Sequence, residues 1–247
     1  MERNISMEEI SDGRLYDAGD MVKADCGGCK GCSKCCSRMG NSVVLNPFDV
    51  FRLRKNLGVS FEELLSGPLE LHIVDGIILP NLSMSGQEEK CPYLNGEGRC
   101  SIHDFRPDFC RLFPLGRLYE NRSFRYFLQT QECPKEGKSK VKVKKWIGME
   151  NMGSYERFIR DWHYFLKDLD QAIRQKKIQE RELREKAAGE KNLQEKEGMD
   201  LRKALTLYVL KEFYMRPYCW EEDFYSQFYD RLSRSRSFAE ETLGGSQ

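Results

Sequence analysis

The first half of the chain carries short stretches with the alternation of apolar and polar residues that β-strands show. Residues 42–45 form a brief apolar run that predicts a strand, and residues 71–84 alternate loosely, as the two arms of a hairpin do. A further alternating stretch at 124–129 predicts another strand. Each of these segments is brief, so the first half is expected to contain short strands.

Two consecutive short helices are predicted between these strands. Asn46 caps the first helix, Pro47 lies in its first turn and Gly58 ends it. Its apolar face consists of Val50, Leu53 and Leu57. Ser60 and Glu63 then have the spacing of a capping box, which predicts that a second short helix begins at once.

The second half of the chain has the apolar period of helices. An amphipathic helix is predicted by apolar residues at three- and four-residue steps, namely Tyr155, Phe158, Ile159, Trp162, Phe165, Leu166, Leu169 and Ile173. Residues 174–200 consist almost entirely of Lys, Arg, Glu and Gln, and are either a solvated extension of this helix or a flexible linker. Apolar residues return at 201–214.

Composition narrows the class of protein. With 247 residues, a net charge of +1 and 32% charged residues, the chain has no basic excess that would indicate nucleic acid or a membrane surface as partner. Residues 1–24 form a polar leader without the apolar segment of a signal peptide, and no run approaches the roughly 18 apolar residues of a membrane span. We therefore expect a cytoplasmic protein with reduced thiols; in an exported protein the cysteines would instead form disulfides.

Nine of the ten cysteines lie in two groups. Five are packed into a block of eleven residues: Cys26, Cys29, Cys32, Cys35 and Cys36. Four follow at wider intervals: Cys91, Cys100, Cys110 and Cys133. Soft thiolates three residues apart can converge on one point, which indicates zinc or an iron–sulfur cluster. Because the side chains of Cys35 and Cys36 diverge, either two metal sites share the first block or one of this pair has another role.

The order and spacing of these cysteines resemble those of a known family. The motifs are Cys29-x-x-Cys32-x-x-Cys35-Cys36, Cys91-Pro-Tyr-Leu, Cys100-Ser-Ile-His-x-x-Arg-Pro-x-x-Cys110-Arg-x-Phe-Pro and Cys133-Pro. Over about residues 26–134 they are similar to the zinc- or iron-chelating cysteine-cluster family of YkgJ-like proteins, whose cysteine domain also occurs in flagellin lysine methylases. The resemblance implies a bound metal centre with the ligands Cys29, Cys32, Cys35, Cys36, Cys91, Cys100, Cys110 and Cys133.

Two features depart from the family pattern. Cys26 adds one cysteine to the first block, and its role stays open. His103 stands where the family usually has Tyr, so we expect its ring to pack rather than to bind metal. Cys219 lies outside the pattern altogether and is expected to be an ordinary thiol.

An iron–sulfur cluster is favoured over zinc as the cofactor. Zinc sites commonly use Cys-x-x-Cys pairs that are well separated along the chain, whereas a dense run with Cys-Pro dipeptides is closer to the ligation of ferredoxins. Arg106 and Arg111 flank Cys110 and are predicted to lie beside the cofactor. Guanidinium groups in such positions offset the negative charge of gathered thiolates and donate hydrogen bonds to sulfur.

These observations predict an α+β fold. A small, irregular, cysteine-rich metal-binding domain with short strands and helices is expected at 25–150, followed by a mainly α-helical C-terminal half at 151–247. The predicted function is metal binding with an electron-transfer or structural role and with an unknown protein or redox partner. The alternative is an enzyme, namely a flagellin-methylase-like modifier of protein lysines or its accessory.

The two cysteine groups are expected to form one centre. The first block has few apolar residues near it, whereas the segment 100–114 carries Ile102, Phe105, Phe109, Leu112 and Phe113. Burial of this apolar segment is predicted to bring Cys100 and Cys110 to the first block, so that metal binding contributes folding energy.

A run of lysines alternates with valine after the second cysteine group. The residues are Lys138, Lys140, Lys142, Lys144 and Lys145. They predict one charged face of a strand. From the sequence alone, a solvated edge is favoured over the docking of an acidic partner.

Overall fold

The computed structural model describes residues 7–27, 32–87, 89–187 and 195–244. The chain divides into two compact units. One consists of Met1–Leu71 and Pro80–Arg160, and the other of His72–Leu79 and Asp161–Gln247.

Short elements dominate the first unit and long helices the second. In chain order the elements are α1 Met7–Ile10, β1 Met21–Asp25, α2 Pro47–Leu57, α3 Phe61–Leu65, β2 Leu69–Val74, β3 Ile77–Leu82, α4 Asp108–Leu112, β4 Leu115–Glu120, β5 Ser123–Leu128, β6 Ser139–Lys142, α5 Val143–Ile147, α6 Met152–Ala187, α7 Glu195–Leu210 and α8 Phe224–Gly244. Single 3₁₀ turns lie at Lys34–Cys36, Gly40–Ser42 and His103–Phe105, and a π-helical turn at Lys211–Met215.

The strands pair two by two, which together with the helical C-terminal half confirms the α+β fold class. β1 pairs with β6 and β4 with β5, both antiparallel, while β2 pairs with β3. The predicted hairpin at 71–84 corresponds to β2 and β3, joined at Asp75 and Gly76, whose φ angles of 48° and 80° suit a tight turn. The strand predicted at 124–129 is β5.

Local capping signals predicted α2 and α3 correctly. The Asn46 side chain accepts from the Asp49 N–H at 2.9 Å, and Gly58 ends α2 in the left-handed conformation. Ser60 and Glu63 form the expected capping box of α3. Leu57, the last residue of the predicted apolar face of α2, is 38% exposed, because the packed part of the helix lies in its earlier turns.

The strand predicted at 42–45 is wrong. Val44 makes one isolated bridge, to Asn81, and no ladder extends from it. The chain has no room for one there, since a 3₁₀ turn ends at Ser42 and the cap of α2 begins at Asn46. The apolar residues are buried all the same, with Val43 at 1% exposure and Leu45 fully buried.

Part of the polar leader is tied to the first unit. The main chains of Tyr16 and Tyr126 exchange hydrogen bonds of 2.8 and 2.9 Å. In β1, Val22 and Ala24 are buried while their neighbours face outward. These alternating residues form an edge strand within a segment whose overall composition is polar.

The lysine run is a strand for only part of its length. β6 ends at Lys142, and Lys144 and Lys145 lie in α5. The reason is a change of apolar period, because Val143 and Ile147 are both buried at a four-residue spacing.

The charged segment 174–200 begins as helix. α6 continues to Ala187, so residues 174–187 are the predicted helical extension, while residues 188–194 lie outside the described part of the chain. In the second unit the Trp162 ring packs against Phe213 and Phe228, with centroids 4.9 and 6.1 Å away. Among the described helices, none is both long and apolar enough to cross a membrane.

Candidate metal centre

The first cysteine block is anchored to the second group through the main chain. Cys35 and Cys36 lie in the 3₁₀ turn that ends at Cys36. The carbonyl oxygen of Cys36 accepts a hydrogen bond of 2.8 Å from the Cys91 N–H. Ser37 and Lys90 extend this contact as an isolated bridge. The two groups therefore meet directly, although more than fifty residues separate them in sequence.

Cys100 and Cys110 reach the same place by different routes. Cys100 is held by a bridge to Leu94, which closes a tight loop after Cys91. Cys110 lies in the middle of α4, a single helical turn that follows Pro107. Buried Ile102 and Leu112 fix the segment on either side.

These thiols line one open pocket of about 50 Å³. Its cysteine lining comprises Cys32, Cys35, Cys36, Cys91, Cys100 and Cys110. Met84, Ile102, His103 and Arg106 complete much of the remaining wall. The structure thus brings Cys100 and Cys110 to the first block, as the apolar segment predicts; that they bind metal remains a proposal.

The remaining cysteines either do not line this pocket or lie outside the residues that the structure describes. Cys29 lies outside the described residues, and Cys26 and Cys133 are half-buried but do not line the pocket. Cys219 is exposed, and its thiol lies 3.1 Å from a Glu221 carboxylate oxygen. Within residues 7–27, 32–87, 89–187 and 195–244, no three His, Cys, Asp or Glu side chains are arranged to hold a metal ion.

The environment of the pocket changes the acidity of its thiols. Burial raises the pKa of Cys91, Cys100 and Cys110 above the usual thiol value, and neighbouring thiols add to the effect. Cys35 is the exception. The hydrogen bond from the Cys36 thiol, assisted by the positive charge of Arg106, lowers the pKa of Cys35 to about 7, while the same hydrogen bond raises the pKa of Cys36.

The two predicted cofactor neighbours, Arg106 and Arg111, have different surroundings. Arg106 lines the pocket, and its Nη1 lies 2.8 Å from Nε2 of His103. Arg111 does not line it, and donates instead to the carbonyl oxygens of Ile147 at 3.1 Å and Asp104 at 2.8 Å. Burial lowers the pKa of Arg111 to about 10. Arg106 and Arg99 are therefore the cations in the pocket wall that can balance thiolate charge, and Arg111 braces the loop that leads to Cys110.

Asp49 is a functional candidate that the sequence analysis missed. Its side chain is 2% exposed, one carboxylate oxygen accepts from the Asn46 N–H at 3.0 Å, and the other accepts from the Asp108 N–H at 2.7 Å. Burial, and then the nearby charge of Asp108, raise its pKa to about 7. One carboxylate thus caps α2 and the helix that carries Cys110. The sequence signal was the Asn46-x-x-Asp49 spacing, which reveals only the local cap.

Asp108 and Arg117 form a second brace beneath Cys110. Two guanidinium nitrogens of Arg117 donate to the Asp108 carboxylate at 2.6 and 2.8 Å, with the two side chains only 6% and 13% exposed. The guanidinium also donates to the Tyr155 hydroxyl at 3.1 Å and lies over the rings of Tyr126 and Phe124. Such a buried bidentate pair fixes the start of α4 in position.

Affinity for metal is expected to rise steeply with pH. The thiols of Cys91, Cys100 and Cys110 have raised pKa values and are protonated near neutral pH, so each of them that serves as a ligand must lose its proton to bind metal. With three protons released, the affinity for Zn²⁺ should fall roughly a thousandfold for each unit of pH lost. Titration of the metal-free protein with Zn²⁺ at several pH values, with proton release followed by an indicator, measures this slope. Less than about one proton released per ion would contradict the prediction.

The thiols that line the pocket lie in a part of the chain that matches a family model. Residues 28–134 match the model of the CxxCxxCC family, described as "Putative zinc- or iron-chelating domain". This match confirms the resemblance carried by the cysteine spacing and supports a zinc- or iron-chelating function for this part of the chain. No curated protein and no solved structure matches the chain.

Proposed function

We propose that this is a cytoplasmic metal-binding protein whose cysteine cluster holds an iron–sulfur centre with an electron-transfer or structural role. The observation that carries the proposal is the pocket that six described cysteines, drawn from three segments of the chain, line together. Six thiols exceed the four ligands of either one tetrahedral zinc ion or one iron–sulfur cluster, and with Cys29 and Cys133 the family ligand set is large enough for two four-thiolate centres. Structural zinc is the alternative that the same donors allow.

The thiol set fits such a group in its chemistry. Thiolates are the ligands of iron–sulfur clusters, and Arg106 in the pocket wall supplies positive charge beside them. The pKa of Cys35, lowered to about 7, makes this thiol easier to ionise before metal arrives than Cys91, Cys100 and Cys110, whose pKa values are raised. The ligands are proposed to come from Cys29, Cys32, Cys35, Cys36, Cys91, Cys100, Cys110 and Cys133. A bound cluster would supply reversible one-electron chemistry, and the chain supplies the ligands, the cation and the enclosing wall.

Protein purified without oxygen is expected to be brown. Its broad visible absorbance should bleach with dithionite, and iron and acid-labile sulfide should be present in comparable amounts, because thiolate-bound iron–sulfur clusters absorb across the visible range. Absorbance, elemental analysis and electron paramagnetic resonance of the reduced protein measure this. Cys219→Ser serves as the control and should leave the colour unchanged. Colourless protein with stoichiometric zinc would replace the cluster with a structural zinc site.

The methylase alternative receives no support. No curated protein matches the chain, and the family match over 28–134 refers to chelation of zinc or iron. We therefore do not propose lysine methylation as the function.

A further inference from the structure

The ribbon formed by β1 and β6 has a cationic outer face. Cross-strand pairing places Met21 opposite Lys142 and Val22 opposite Val141. Residues at alternate positions share a face, so Met21 and Lys23 point outward on β1 while Val22 is buried. All the ribbon lysines are exposed, and α5 adds two more directly after β6. The lysine face, as named below, consists of Lys23, Lys140, Lys142, Lys144 and Lys145.

The positive charge of the lysine face is not neutralised by side-chain pairing within the described residues. No hydrogen bond or ion pair joins any of its five ammonium groups to residues 7–27, 32–87, 89–187 or 195–244. The acidic neighbours are engaged elsewhere: Asp25 accepts from the Ser139 hydroxyl at 3.2 Å, and Asp20 accepts from the Asp17 N–H at 2.8 Å. A net charge of only +1 for the chain makes this local excess a distinct feature.

The composition of the face indicates an acidic protein as its partner. The five cations are all lysines, which act as point charges, whereas arginine provides the bidentate geometry typical of phosphate recognition. Met21, which is 47% exposed, gives the face an apolar spot between the charges. An exposed apolar side chain flanked by lysines, as Met21 is by Lys23 and Lys142, suits a protein interface steered by charge.

The ribbon is joined directly to the cysteine cluster. β1 ends at Asp25, immediately before Cys26 and the first cysteine block. Lys138, immediately before the other strand β6, donates from Nζ to the Cys133 carbonyl oxygen at 2.9 Å. A protein docked on the ribbon would therefore lie next to the chain segments that carry the proposed ligands.

We propose that the lysine face is the docking surface for an acidic protein. That this protein is a redox partner rests on the proposed iron–sulfur function, whereas the docking itself does not. The complex should form quickly at low salt and weaken as salt increases, because exposed charges are screened beyond about 10 Å at 0.1 M ionic strength.

Carbodiimide cross-linking in the native cells tests the docking surface, since this reagent joins lysine amines to carboxylates that touch them. Three forms of the full chain are compared: the parent, a ribbon variant and a control variant. The ribbon variant carries K23Q, K140Q, K142Q and K144Q, and the control variant carries K176Q, K177Q, K203Q and K211Q. Both variants lose four positive charges, so a general effect of net charge cancels.

Cross-links to Asp or Glu of another protein are expected to concentrate on the lysine face in the parent. Those at Lys145, which keeps its amine in all three forms, are expected to be lost in the ribbon variant alone. Added salt of about 0.5 M should abolish them in lysate. Cross-links spread evenly over all lysines, or unchanged at Lys145 in the ribbon variant, would overturn the proposal. So would selective loss, in the ribbon variant, of binding to a DNA duplex or to vesicles with anionic headgroups.

Colour and metal content of the same three preparations separate this proposal from the proposed function. Brown protein with evenly spread cross-links would reject the docking surface and leave the cluster. Colourless zinc protein with cross-links confined to the lysine face would retain the docking surface and reject the iron–sulfur centre.

Discussion

Replacing Cys110 by Ser is expected to remove the metal and the cooperative unfolding of residues 25–150 together. Cys110 lines the pocket from α4, while Cys32, Cys35 and Cys36 line it from the first block. A ligand shared by distant segments makes metal binding part of the folding free energy. We expect a loss of metal affinity of at least about 100-fold, because loss of even an outer partner of a ligand costs about 10–100-fold. Metal content and thermal unfolding by circular dichroism measure the two effects.

Cys219→Ser is the matched control for this substitution. Cys219 is exposed and belongs to the second unit, so its replacement should change neither metal content nor melting temperature. If the Cys110 variant kept full metal content and melted like the parent, the two cysteine groups would be independent of each other.

Arg117→Met is expected to destabilise the first unit by about 3–5 kcal/mol, because the substitution leaves the carboxylate of Asp108 in a largely buried position without its partner. The melting temperature should fall by about 10 °C. Metal content should fall as well, since the Asp108 N–H and carboxylate fix the start of the helix that carries Cys110. Denaturant unfolding followed by fluorescence measures the free energy, and elemental analysis the metal.

Arg174→Met provides the comparison for an exposed ion pair. Arg174 donates to Asp170 at 2.7 Å, but its side chain is 67% exposed and Asp170 keeps a second partner in Arg202. Such pairs contribute less than about 1 kcal/mol. Equal destabilisation by the two substitutions would show that the Asp108–Arg117 pair has no special role in the first unit.

Features of the fold that depend on neighbouring residues could be predicted from the sequence. α2 and α3 follow from the caps at Asn46 and Ser60, which satisfy the free N–H groups of a helix end within a few residues. The strand at 42–45 could not be judged in the same way. β3 does lie alongside, since Leu45 donates to the Pro80 carbonyl oxygen at 2.8 Å and Leu82 donates to that of Val43 at 3.0 Å. The run between the turn that ends at Ser42 and the cap at Asn46 is too short to extend this contact beyond the single bridge of Val44 to Asn81.

The same distinction between neighbouring residues and tertiary contacts applies to the candidate site. Cysteine spacing identified the thiols, because ligand geometry requires short, regular intervals. The bracing residues were missed, since Asp49 meets the Asp108 N–H and Arg117 meets the Asp108 carboxylate only after tertiary folding. The lysine face was recognised as charged, but its partner strand β1 lies more than a hundred residues earlier, and the two strands meet only through tertiary pairing, which places Met21 opposite Lys142 and Val22 opposite Val141.

The long separation between the two cysteine groups has a consequence during synthesis. Cys36 leaves the ribosome more than seventy residues before Cys110 does. At about 5–20 residues per second, the first block waits roughly 4–15 s for the ligands that complete its pocket. During that interval its thiols are exposed to oxidants and to thiophilic ions, so a metal centre that takes ligands from both cysteine groups can be completed only after the chain has passed Cys110.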